Sequence, residues 1–109
     1  MNVRLYVLQR ATAAIMAPLV LGHLVVIFYA TSRGLSAAEI LGRTRGSIGW
    51  ALFYGVFVLA VSIHGAIGAR VVLSEWTPLK EPRALDFIMW ALGLVLTMLG
   101  LRAVAAVVL

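Results

Sequence analysis

The 109-residue chain contains no cysteine. This excludes disulfides, thiolate metal sites and iron–sulfur ligation by this chain, so any redox cofactor it holds is bound through other atoms. Charge is also scarce: 12% of the residues are charged against 63% hydrophobic, with a mean hydropathy of +1.07. A soluble domain cannot hide that much apolar surface, and the composition places the chain in a membrane. The net charge of +5 comes mostly from arginines at segment ends, where they suit lipid headgroups. No basic run is long enough to argue for nucleic acid.

Three uncharged runs stand out: Ala11 to Ser32, Gly46 to Ala69, and Phe87 to Leu101, the last continuing past Arg102 to the C-terminus. About 20 residues cross a hydrocarbon core of roughly 30 Å, so each run is read as a spanning helix. The expectation is an all-α membrane protein, a single transmembrane domain over 1–109 with helices at about 8–32, 46–74 and 84–108. The first run is too long for a signal-peptide core and lacks a small-residue cleavage site, so it is expected to be retained. The connecting segments, "SRGLSAAEILGRTRGS" and "SEWTPLKEPR", are rich in glycine, arginine, proline and mixed charge, and neither can form a separate domain. Tyr6, Trp76, Phe87 and Trp90 mark one interface, and Phe28, Tyr29 and Trp50 the other. Five basic residues on the N-terminal side against four opposite lean toward a cytoplasmic N-terminus.

Two histidines lie inside these runs, His23 and His64. At about 1.5 Å per residue, His23 falls roughly 4 Å beyond the midplane and His64 about 10 Å from it on the opposite side. An unpaired imidazole in hydrocarbon costs several kcal/mol, so each ring hydrogen-bonds across helices, relays a proton or binds a metal. Around His64 the stretch "VSIHGAIGAR" adds Gly65 and Gly68, which leave room for a large flat group or a close helix, and Arg70 nearer the interface. A porphyrin would use all of these. Tight helix packing would use only the glycines.

His64, Gly68 and Arg70 reproduce the H-x-x-x-G-x-R pattern of the cytochrome b anchor subunit of succinate dehydrogenase and fumarate reductase, and "LQRATAAIMAPLVLGHLVVIF" resembles the first helix of that family. The resemblance covers residues 6–76. It implies that His64 is an axial ligand of the haem b nearer the cytoplasm, and that Arg70 and Arg10 meet haem propionates. It also places Arg10, with Tyr6 where the family has a serine, at the quinone. Gln9 stands where the family has a histidine. His23, within a G-H-L triplet, corresponds to the ligand of a second, outer haem in two-haem members. The implied partners are a flavoprotein subunit, an iron–sulfur subunit and a second membrane anchor subunit that completes the haem-binding bundle, in a bacterial inner membrane.

Rival readings are a quinone-linked anchor for another flavoprotein dehydrogenase, a haem-free anchor, and a proton-relay or transport subunit. The relay predicts further intramembrane acids, and the three runs contain none. Gly93, Thr97 and Gly100 share a face of the third run and read as helix packing. Pro18 removes the partner of the Ala14 carbonyl and can kink the first helix. Arg102 reads as snorkelling to the far interface, with an outer-haem propionate as the sharper option. Glu75, Glu81 and Asp86 read as solvated charges, and Met16, Met89 and Met98 as apolar filler.

Overall fold

The computed structural model describes residues 2–109. Four helices follow one another: α1 (Val3–Ser32), α2 (Ala37–Thr44), α3 (Ile48–Trp76) and α4 (Pro82–Val108). Helices α1, α3 and α4 are long and apolar enough to cross a membrane. The molecule measures 49 × 22 × 22 Å, so its long axis exceeds the hydrocarbon thickness and leaves the helix ends at the headgroups.

The helices begin where side chains can replace the missing backbone acceptors. The Asn2 side chain accepts from the Leu5 amide at 2.9 Å, which starts α1 several residues before the apolar run does. Hydropathy marks the lipid-facing part of a helix, whereas the cap marks its physical end. Glu81, expected to be a solvated charge, is instead the N-cap of α4: its two carboxylate oxygens accept from the amides of Arg83 (3.1 Å) and Ala84 (2.7 Å). Pro82 follows in the first turn, where its missing N–H leaves no bond unmade. Helix α1 runs through Pro18 to Ser32 without interruption.

Helix α2 was not expected from hydropathy, since its segment is polar and rich in glycine. Its start is written as S-x-x-E: the Ser36 hydroxyl accepts from the Glu39 amide at 3.2 Å. Its end is fastened to the far end of the chain. The Thr44 hydroxyl donates to the Val107 carbonyl at 2.6 Å and the Gly46 amide to the Val108 carbonyl at 2.8 Å. Gly46 reaches that carbonyl with φ +71°, a conformation that costs little without a Cβ. The last carbonyls of α4 thereby gain partners they lack within their own helix.

Helix α3 lies between α1 and α4 and packs against both. Ala66 and Ile67 of α3 and Met89 of α4 form the buried core, with Leu5 and Ile63 against it. As expected, small residues of α4 set the α3–α4 distance. A Cβ on Gly93 would meet that of Ala66 at 3.4 Å, and one on Gly100 would overlap the Val58 side chain. The Thr97 hydroxyl between them donates to the Gly93 carbonyl at 2.8 Å and needs no partner elsewhere. Outside these seams the surface is apolar: Phe28 is 74% exposed, Trp90 69% and Trp76 82%, as suits contact with lipid tails or another apolar chain.

Candidate functional site: two histidines at separate levels

His64 faces α1. Its Nδ1 lies 3.2 Å from the hydroxyl of Thr12, which is itself 97% buried. That hydroxyl carries one hydrogen and lies 2.9 Å from the Leu8 carbonyl and 3.0 Å from the Gln9 carbonyl, both on its own helix. With its hydrogen turned to those carbonyls, the Thr12 oxygen is left to accept, and the Nδ1–H of His64 donates to it. A neutral ring has only one N–H, so Nε2 keeps its lone pair. In that arrangement Nε2 is the ring nitrogen available to a ligand.

Gln9 reinforces the contact. Its Nε2 donates to the backbone carbonyl of His64 at 3.2 Å and lies 3.6 Å from where a Cβ on Gly68 would be. Its Oε1 is buried and, among the described residues, is the one buried side-chain polar atom without a partner. The two glycines after His64 serve different seams: Gly68 meets Gln9 of α1, while Gly65 faces Leu96 of α4. Gly68, one turn after His64, is the glycine on the α1 side, and the Gln9 amide packs against it.

Arg70 points elsewhere. Six residues at 100° each carry it about 240° around α3 from His64, into the seam with α4. There its Nε donates to Oδ1 of Asp86 at 2.8 Å, the single ion pair among the described residues. Asp86, expected to be a solvated charge, is thus half of this pair. The guanidinium is 13% exposed and the carboxylate 51%. Burial of the cation with water still at the anion makes the contact mainly a fixture for the guanidinium. Its four remaining N–H donors carry no bond to a described side chain.

Arg10 and Tyr6 are brought together on α1. The guanidinium lies over the Tyr6 ring, 5.4 Å from its centroid, and both side chains are exposed.

His23 occupies a different setting. Its Nδ1 lies 3.2 Å from the Tyr54 hydroxyl, and the ring stands edge-on to Tyr54 and Phe57, with centroids 5.6 Å away in each case. Phe53 closes the cluster against Gly22, where a Cβ would meet the phenyl ring at 3.2 Å, and Trp50 stacks on Tyr54. Tyr54 has no second side-chain partner among the described residues, so this bond fixes where the ring sits rather than its tautomer.

The contacts also fix the levels. From Thr12, opposite His64, to His23 is a rise of about 16 Å along α1; from Tyr54 to His64 along α3 it is about 15 Å. The two axial positions of one iron lie far closer than that, so the histidines belong to separate sites.

Sequence reasoning missed Thr12 and Tyr54, the partners of both rings. Trp50, Phe53, Tyr54 and Phe57 recur at helical spacing on α3, a visible stripe that could have marked the cage. A threonine in an apolar helix gives no such signal. Among the described residues no three His, Asp or Glu side chains cluster as a metal site; each imidazole stands alone.

No curated protein and no solved structure matches this chain. Residues 1–103, however, match the succinate dehydrogenase/fumarate reductase transmembrane subunit family, in keeping with the histidine, glycine and arginine spacing. This three-span helical membrane protein belongs to that family.

Proposed function

We propose that this chain is a haem b-binding anchor that carries electrons between an iron–sulfur subunit and membrane quinone, with a flavoprotein subunit beyond the iron–sulfur subunit and a second anchor subunit beside it. The observation that supports this most is the Thr12–His64 contact at 3.2 Å, which leaves Nε2 bare when the hydroxyl hydrogen is turned to its own helix. An imidazole placed only for packing has no need of a chosen tautomer. The residues present fit the group in their chemistry: each histidine offers a ring nitrogen, and the orphaned Gln9 Oε1, packed beside Gly68, is an acceptor for a donor from outside the chain.

In this reading His64 would hold the inner haem and His23 the outer one. Haem b bound there would give a one-electron carrier. This chain offers a single imidazole at each level, so the opposite ligand of each iron comes from the second anchor subunit. Haem held by an imidazole from each subunit would favour electron transfer over oxygen chemistry. Arg10 and Tyr6, exposed at the N-terminal end of α1, are the groups placed to meet quinone. In a bacterial inner membrane with the N-terminus in the cytoplasm, that end faces the soluble subunits. Arg70, turned onto Asp86, reaches a propionate only through donors other than its Nε.

The test is the reduced-minus-oxidised visible spectrum of the purified complex, with and without His64→Ala. A b-type band that is present in the parent and lost or halved in the variant is expected. Absence of any such band in the parent complex rules the proposal out.

A further inference from the structure

At the opposite end from Arg10, two arginines converge on one aromatic ring. The guanidinium carbon of Arg33, the C-terminal cap of α1, lies 5.7 Å from the Tyr29 ring centroid, and that of Arg43, in the last turn of α2, lies 5.5 Å from it. Arg43 Nη1 also donates to the Tyr29 hydroxyl at 3.4 Å. That bond raises the pKa of Arg43 above its ordinary value, so the group is a permanent cation. Neither guanidinium has a carboxylate partner, the one ion pair among the described residues being Arg70–Asp86. Glu39, one turn before Arg43 on α2, is the nearest acid along the chain; its charge adds to the rise in the Arg43 pKa, but it forms no ion pair with either guanidinium.

Like charges held around one ring repel, and a membrane surface weakens the screening that water would provide. The negative ends of the α1 and α2 dipoles account for why arginines sit there. They do not supply the oxygens that forked guanidinium donors seek. Beneath Arg43 and Tyr29 runs an apolar groove of about 340 Å³ between α1, α2 and α3, floored by Val25, Val26, Ala30, Leu35 and Ile40 and walled on the α3 side by Trp50 and Tyr54, with Arg33 beside Tyr29 at its edge. A cationic rim over a hydrocarbon-lined groove, at the end of three spanning helices, matches one kind of molecule: a phosphate on top of acyl chains.

We propose that this groove binds an anionic phospholipid, its phosphodiester held by Arg33 and Arg43 beside Tyr29 and an acyl chain lying along Val26, Ala30 and Ile40. The site lies at the loop end of α1, remote from Thr12 and His64, and its α3 wall is formed by Trp50 and Tyr54 of the cage around His23. It joins α1 to α2 through the lipid, two elements that share few direct contacts.

Native mass spectrometry of the full chain in its purified complex tests this, with phosphatidylglycerol and phosphatidylcholine of identical acyl chains added in turn. The parent is expected to retain phosphatidylglycerol with a preference on the order of tenfold. Arg33→Gln with Arg43→Gln removes that preference, whereas Arg4→Gln with Arg83→Gln, at the other end of the bundle, leaves it. Equal retention of the two lipids by the parent overturns the proposal, as does a preference unchanged in the Arg33/Arg43 variant, or a haem or quinone mass that this variant alone loses. Should the double variant fail to assemble, Ala30→Phe fills the groove while leaving both cations, and it must lower phosphatidylglycerol retention; unchanged retention there also overturns the proposal.

Discussion

Thr12 and His64 face each other across the α1–α3 seam, hydroxyl oxygen to Nδ1 at 3.2 Å, and the hydroxyl hydrogen is already committed to its own helix. With that hydrogen turned inward, a buried threonine leaves Nε2 of the neighbouring ring bare. Replacing Thr12 with valine keeps the shape and removes the acceptor, so haem content of the purified complex should fall, as 10- to 100-fold losses in affinity follow when such partners are removed. Thr12→Ser should restore it. A pyridine haemochrome assay on the two variants reads the difference, and equal haem in both would show that the hydroxyl is irrelevant.

The outer ring offers the complementary experiment. Tyr54→Phe removes the oxygen beside His23 but keeps the aromatic cage of Phe53 and Phe57. Loss of one hydrogen bond costs about 1 kcal/mol, so the complex should remain assembled. If an outer haem is present, its midpoint potential should shift while the inner one stays fixed, measured by redox titration of the visible bands.

Arg70 has two possible attachments, and they separate cleanly. Asp86 is half exposed, so the pair contributes no more than about 1 kcal/mol, and Asp86→Asn should change thermal stability little. Arg70→Gln should do the same if Asp86 is its whole role. A further shift of the inner haem potential with Arg70→Gln, absent with Asp86→Asn, would assign the free donors of the guanidinium to a propionate.

At the α3–α4 crossing, Gly100 has no room for even a methyl group, because the obstacle is the branched Val58 close to its own backbone. Gly100→Ala should destabilise the bundle by about 1–3 kcal/mol, seen as a lower melting temperature in detergent. Val58→Ala in the same chain should recover most of the loss. Gly55 has open space around it, and Gly55→Ala is expected to be neutral or better.

Much of this was visible in the amino-acid order, for identifiable reasons. Spanning helices are dictated by hydrocarbon length and backbone hydrogen bonding, so three apolar runs give three spans with little dependence on detail. The levels of His23 and His64 followed from helical rise alone, and the Thr12 and Tyr54 contacts reproduce a separation close to the roughly 14 Å expected. What hydropathy could not show was polar bonding at a distance in sequence. Arg70 and Asp86 lie on different helices, and their pairing depends on the rotation of α3 against α4. Helix α2 was hidden because its glycine and arginines read as loop, although Ser36 and Glu39 carried a capping signature in plain view. Thr12 was overlooked because a small hydroxyl in a span usually bonds its own helix, which it also does here.

The tie between Thr44 and Val107 joins residues 63 positions apart. During synthesis the first hairpin enters the bilayer long before the last turn of α4 leaves the ribosome, so Thr44 and Gly46 must wait with their donors hydrated. Closure of that end therefore waits until α4 has been made. A chain cut short at its C-terminus would insert its first two spans normally and yet leave the α2 hinge unlatched, open to quality-control proteases.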